Sequence, residues 1–386
     1  MLRNLNRKLF WVFALSSAVY FTQGIEGLPS QGLFYYLKET LHFSPEKIMV
    51  INSITIFSWL VKPIIGYVID NYFNKKVWIY ISLFLDVVLS LVIGLNHLPL
   101  FLLITMIFLN SNNGAFRDVA VDGIMCVEGK KYNATGRIQS IQWISINVAL
   151  LLTGIGGGVL AEKWGYKAGF LALIPVYILV AIPTIFYKEE DSVKIKLSST
   201  LFQDMKKLFG DKKILIVGLF IFLYKYSPSF GTPLFFIQRD TFKWGKVWIG
   251  ALGTISTVFG IIGSVLYYKF SQKVNFKKWL FFSVLLGAVT TLSYLYYTPV
   301  TAVIYDVIYS LMGMFIFLMI MDFMARHSVK GLEATSFALL CSVSNLALVS
   351  SNLSGAFLLP RIGLNWLIII SAVTSFLCLP LINKID

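Results

Sequence analysis

Several ionisable side chains stand inside long apolar runs, where they can do chemistry only if something receives their charge. Glu26 lies in QGIEGLP, Lys62 in WLVKPIIG, Arg117 and Asp118 behind the polar stretch NSNNG, Asp122 four residues further on, and Lys225 in FLYKYSPSF. On insertion scales such a charge costs at least about 2.5–3.5 kcal/mol in hydrocarbon, so each needs an opposite charge, a wet cavity or a ligand. A carboxylate there can accept adjacent donors of a flat heterocycle or carry a proton, and a cation can hold an anionic tail. Glu26 reads as a substrate carboxylate or proton carrier, or else as a structural partner for a buried base; Gly24, Gly27 and Pro29 loosen the chain around it. Asp118 and Asp122 share one helical face and repel if both are ionised. One of them is therefore expected to carry a proton or to share a cation with Arg117, Lys62 or Arg137. Lys62 either binds an anion or neutralises Glu26 or Asp118. Lys225, beside the helix-breaking Pro228, is the other candidate for contacting substrate. Asp86 reads as half of a local structural pair, and Asp306 as a charge nearer the outside.

Uncharged polar side chains in such runs more often tie helices together. Gln142, Asn147 and Asn345 lie deep enough to touch a ligand as well, and aromatic residues including Tyr226 can stack on a flat ring. Other chemistries are poorly served. Only three histidines exist (His42, His97, His327), all near helix ends and none paired at metal-ligand spacing; the three cysteines form no CxxC pair. There is no phosphate-binding Gly-x-x-x-x-Gly-Lys-Ser/Thr loop and no Gly-x-Ser-x-Gly elbow, so neither ATP hydrolysis nor that esterase chemistry is expected. No cofactor, no metal and no enzymatic activity are expected.

The elements that position these residues follow from composition. The 386 residues are 57% hydrophobic, 16% aromatic and 13% charged, against roughly 25% charged in a soluble domain. An all-α membrane protein is expected. The net charge of +14 is spread between apolar runs, as cytoplasmic loops would spread it and a nucleic-acid surface would not. A membrane helix needs about 20 mostly apolar residues. Twelve such segments are expected, at 9–38, 44–71, 75–96, 98–127, 133–160, 165–188, 212–238, 244–270, 276–296, 298–326, 332–358 and 364–384. Residues 1–188 then form an N-terminal six-helix bundle and 212–386 a C-terminal one. The polar stretch 189–211 links them, with Leu201, Phe202, Met205 and Leu208 on one face of a short interfacial helix. If the N-terminus is cytoplasmic, 22 lysines and arginines fall in inner segments and 8 in outer ones, which places both termini inside.

The two sixes read as copies. AVDGIMCVEGKKYNAT at 120–135 aligns without a gap on IMDFMARHSVKGLEAT at 320–335, setting Asp122 on Asp322 and Ala134-Thr135 on Ala334-Thr335. Parallel six-helix repeats are the layout of major-facilitator transporters, in which substrate is held near the bilayer midplane. GYVIDNYFNKKVW at 66–78 resembles the major-facilitator loop signature, with Gly66, Asp70, Lys75 and Lys76 matching and Phe73 replacing its second glycine. Asp70 at a helix C-terminus opposes the local dipole and needs a cationic or donor partner on a neighbouring helix. It is expected to act as a gate, with Asp122, Arg137 and Asp322 as further gate charges.

Six segments in order carry a closer resemblance: YFTQG (20–24), WLVKPIIGYVID (59–70), DVAVD with IQSIQW (118–122, 138–143), YSPSFGTPLFF (226–236), GSVLYYKF (263–270) and GLEATSFALLCSVSN (331–345). Together they resemble the folate–biopterin transporter family of major facilitators. The chain is compact for that family, and Arg117 beside Asp118 does not match its pattern. The resemblance implies uptake of folates, pterins or related compounds. The expected function is thus secondary active transport of such organic anions by a monomer in the cell (inner or plasma) membrane, working by alternating access as a proton symporter. Glu26 or Asp118 would read the ring and carry the proton, while Lys225, Arg117 or Lys62 would hold the tail. A permease for S-adenosylmethionine, a nucleotide-like compound or a peptidoglycan fragment is the nearest alternative, and an integral membrane transferase a remote one.

Overall fold

The computed structural model describes all residues except Met1, 44–50, 52–58, Leu60, 190–209, Asp211, Gly245 and 385–386. The start of the expected second span and the linker helix around 201–208 lie outside the described residues. What is described is almost wholly helical, as a chain must be where no water is at hand for backbone groups. In chain order the helices are α1 (Leu2–Ile25), α2 (Ser30–Tyr35), α3 (Lys62–Asn71), α4 (Lys75–Leu95), α5 (Leu100–Lys131) and α6 (Thr135–Phe186). They continue with α7 (Lys212–Lys225), α8 (Gly231–Phe236), α9 (Lys246–Phe270), α10 (Phe276–Ser293), α11 (Pro299–Arg326), α12 (Glu333–Thr374) and α13 (Leu379–Ile382). Among the described residues six helical stretches are long and apolar enough to cross a membrane: Lys75–Leu95, Gly156–Phe186, Leu252–Lys273, Phe276–Ser293, Pro299–Arg326 and Glu333–Ile382.

Where single spans at 9–38 and 212–238 were expected, the structure breaks both. α1 ends at Ile25 and a turn over residues 26–29 leads into α2, which finishes in a π-helical turn at Tyr36–Thr40. α7 ends at Lys225, residues 226–230 are non-helical, and α8 finishes in a π-helical turn at Ile237–Thr241. Just after each π turn a residue takes positive φ, His42 at 52° and Lys243 at 57°. Conversely, two expected boundaries narrow to one residue each. α6 and α12 each consist of two helices meeting at a kink on a lone positive-φ glycine, Gly165 (71°) and Gly363 (76°), a conformation open to glycine because it has no Cβ. These paired irregularities recur at an offset of about 200 residues, the spacing at which the sequence repeats itself.

The chain divides into two compact units, Met1–Ser198 with Ser328–Ala338, and Ser199–His327 with Leu339–Asp386. The short stretch 328–338 folds with the first unit although it belongs to the second half of the sequence, and Asp70 shows why. At the end of α3 its carboxylate accepts the backbone N–H groups of Ala334 (3.3 Å) and Thr335 (2.8 Å) and the Thr335 hydroxyl (2.7 Å). Lys75 Nζ lies 3.4 Å away. Asp70 thereby satisfies donors at the start of α12 that have no intrahelical partner. Gly66 makes the approach possible, since a Cβ there would sit 2.8 Å from the Thr335 Cα.

In the second unit the break after α7 is held by serines. The Ser229 N–H donates to the Ser351 carbonyl at 3.0 Å, and Ser227 Oγ donates to the Ser371 carbonyl at 3.0 Å. Ser351 and Ser371 return hydroxyl bonds to the Ser227 and Pro228 carbonyls. Backbone groups freed by Pro228 are therefore re-satisfied inside the protein. A Cβ at Gly355 would overlap the Ser229 carbonyl, so the break also needs a glycine opposite it.

Candidate functional site in the charged network of the spans

The first unit gathers six charges from four elements. Arg117 on α5 is 1% exposed, and its guanidinium bonds two carboxylates at once, Glu26 on the turn after α1 and Asp86 on α4. Asp86, wholly buried, also accepts the side-chain amides of Asn110 (2.9 Å) and Asn113 (3.0 Å). Asn110, Asn113 and Arg117 stand at i, i+3 and i+7 of one helix, so all three reach α4 from one face. The Arg117 guanidinium lies 5.4 Å from the centre of the Tyr177 ring.

Beside this triad Lys62 Nζ is 2.6 Å from Asp118 Oδ2 and 4.4 Å from the Trp59 ring centre. Of the alternatives for Lys62, neutralising Asp118 is the contact made. Asp122 is answered by neutral donors, the Tyr20 hydroxyl at 2.9 Å and the Gln142 amide at 3.4 Å. Six ionisable groups thus carry four acids against two bases, an imbalance costly in a water-poor interior. Glu26 and Lys62 keep 17% and 16% of their side chains accessible, against 4% for Asp118.

The other expected site residues fall as follows. Gln142 is buried beside Asp122, and its Oε1 has no hydrogen-bond partner among the described residues. Asn147 turns its amide back on its own helix, to the Trp143 carbonyl at 2.7 Å. Asn345 is exposed on α12. Arg137 is half-buried in the first turn of α6. In the second unit Asp322 accepts the Tyr267 hydroxyl at 2.8 Å and pairs with Arg326 one turn on, Nε to Oδ1 3.1 Å. The repeated aspartates 122 and 322 therefore share a tyrosine donor within their own units. Lys225 stands differently from the paired charges of the first unit. It is half-buried at the end of α7, its Nζ lies 5.1 Å from the Phe317 ring centre, and no carboxylate pairs with it among the described residues. Tyr226 stacks on Phe222 with ring centres 5.8 Å apart. Sequence reasoning missed Tyr20 and Tyr177, and it did not see that Asp86 belongs with Arg117. Among the described residues no three His, Cys, Asp or Glu side chains come together as a metal site.

The sequence profile of the BT1 family matches residues 23–385. The chain belongs to the BT1 family. Among its relatives is the folate-biopterin transporter of Synechocystis, 25% identical over 97% of this chain and 81% of that protein. Folate transporter 1 of Plasmodium falciparum is 23% identical over 88% of this chain and 71% of that one. Among solved structures, the major-facilitator transporter FucP in its outward conformation superposes with a TM-score of 0.72 at 12% identity, covering 97% of this chain and 98% of that one. The human organic anion transporter TETRAN gives 0.64 at 12% identity over 98% and 99%. At such identities the likeness shows the fold, and that fold is the major-facilitator one. This BT1 protein is a multi-pass membrane transporter.

Proposed function

We propose that the protein moves folate- or pterin-type organic anions across the membrane by alternating access, driven by protons. The carrying observation is similarity along most of the chain to proteins named as folate and folate-biopterin transporters. Lys225 supports an anionic load, because it is a span cation to which no acid answers among the described residues. Glu26 supports recognition of ring donors or a proton, being the carboxylate of the Arg117 triad that keeps surface accessible. Lys62, Arg117, Asp118, Gln142, Asn147, Tyr226 and Asn345 complete the proposed substrate set, with Asp118 a second proton carrier. Counted over twelve spans, the lysine and arginine bias supports cytoplasmic termini; the cell membrane is the proposed location. The test is uptake of labelled folate by proteoliposomes under an imposed pH gradient, competed by pterins, S-adenosylmethionine and nucleotides. Gradient-dependent uptake competed by pterins alone is expected. Competition by nucleotides but not pterins would move the protein to another anion.

Asp70, Asp122, Arg137 and Asp322 are proposed as gate charges. Asp70 supports this most directly, as one carboxylate holding three donors of residues 334–335. Asp70→Ala is expected to cost about 1–2 kcal/mol of stability, as lost caps do. It should also slow uptake about tenfold or more while folate binding, read by thermal shift, stays near wild type. Equal loss of binding and uptake would instead make Asp70 a scaffold residue.

A further inference from the structure

We infer that Asp86 is the standing counter-ion of Arg117, and that this leaves Glu26 free to trade the guanidinium for the transported load. The inference rests on the proposed role of Glu26 and adds a positioning residue to it. One guanidinium cannot neutralise two carboxylates, so the Glu26–Arg117–Asp86 group is one positive charge short. Its two acids are built differently. Asp86 sits within α4 with no surface exposed. Both its oxygens are engaged, Oδ1 by the amides of Asn110 and Asn113 and Oδ2 by Arg117. A carboxylate braced by several donors holds its place. Glu26 sits on the turn 26–29, outside regular helix, and keeps 17% of its side chain accessible. Its Oε2 faces Gly114, where even an added Cβ would stand 3.4 Å away. The groups facing it are Arg117, the Tyr177 hydroxyl and, further off, Asp118. When a proton or a donor-bearing ring engages Glu26, Arg117 still has Asp86, so no bare cation is left in the span. The arrangement separates a fixed acid from an exchangeable one around a shared base.

The test compares Asp86→Asn, Asp86→Glu and Glu26→Gln in purified full-length protein. Thermal melting needs no substrate. Asp86→Asn is expected to lower the melting temperature by about 5 °C or more, and Glu26→Gln by less than about half of that. Initial rates of labelled folate uptake form the second readout. With Asp86 gone, Glu26 becomes the sole partner of Arg117, and the load must break that pair. KM is then expected to rise about tenfold or more with Vmax per transporter within about twofold, while Asp86→Glu keeps KM within about threefold. If Asp86→Asn does not fold, Asn113→Ala, which removes a brace without a charge, is expected to raise KM about threefold. A fall in Vmax at unchanged KM, or a larger melting loss for Glu26→Gln than for Asp86→Asn, overturns the inference. Wild-type uptake by Glu26→Gln would sink the reading of Glu26 itself; impaired Glu26→Gln beside unimpaired Asp86→Asn would sink only the role of Asp86.

Discussion

Arg117→Met is expected to be among the most damaging single changes in the first unit, costing about 3–5 kcal/mol and abolishing uptake. The methionine fills much of the same volume, so the loss is electrostatic rather than steric. Glu26 and Asp86 would face each other without the guanidinium that both now bond, and Asn110 and Asn113 supply only neutral dipoles to Asp86. The prediction has a built-in rescue. Adding Glu26→Gln and Asp86→Asn removes both uncompensated charges, and the triple variant should regain most of the melting temperature without regaining transport. Replacing a buried ion group by neutral residues is often tolerated, whereas removing one partner is not. A triple variant no more stable than Arg117→Met would show that Arg117 matters through packing, for instance on Tyr177.

Lys225→Met is expected to do the opposite to stability and comparable harm to function. No carboxylate loses a partner when this amine goes, among the described residues, so the melting temperature should hold or rise. An anionic load would lose a charge-assisted contact, raising its KM about 10- to 100-fold at near-normal Vmax. Lys225→Arg, which keeps the charge but changes its geometry, should fall between. Concentration series of folate uptake beside melting curves decide it. A destabilised Lys225→Met with unchanged KM would make the amine structural.

These expectations also show which parts of the molecule its sequence discloses. Glu26 was marked out by the glycines and proline around it, and the structure puts it on the turn those residues permit. Asp70 at a helix C-terminus calls for a cationic or donor partner, since a carboxylate there is otherwise repelled. Ala334-Thr335 stands out in sequence only as a duplicate of Ala134-Thr135, and three-dimensional pairing joins it to Asp70. The partnership of Asp86 and Arg117 was not legible. Periodicity says that each lies on a helix but not how α4 and α5 are rotated about their axes, and that phase decides which acid a base meets. The same holds for Ser351 and Ser371, whose hydroxyls close the break at Pro228; in sequence they are two serines among many. Polar type alone also does not disclose a side chain's partner. Asn147 is buried yet spends its amide on its own helix, while Asn345 is exposed, although both occur in apolar runs.

The proposal that span charges act on the transported load, rather than only on one another, is tested most directly by Glu26→Gln in proteoliposomes. Folate accumulation driven by a pH gradient would be measured beside folate-for-folate exchange with no gradient. The glutamine keeps the shape and an acceptor for Arg117 but cannot release a proton. Exchange should continue, while gradient-driven accumulation and its pH dependence are lost. Accumulation and pH dependence identical to wild type would contradict the account and leave Glu26 as an ordinary structural partner of Arg117.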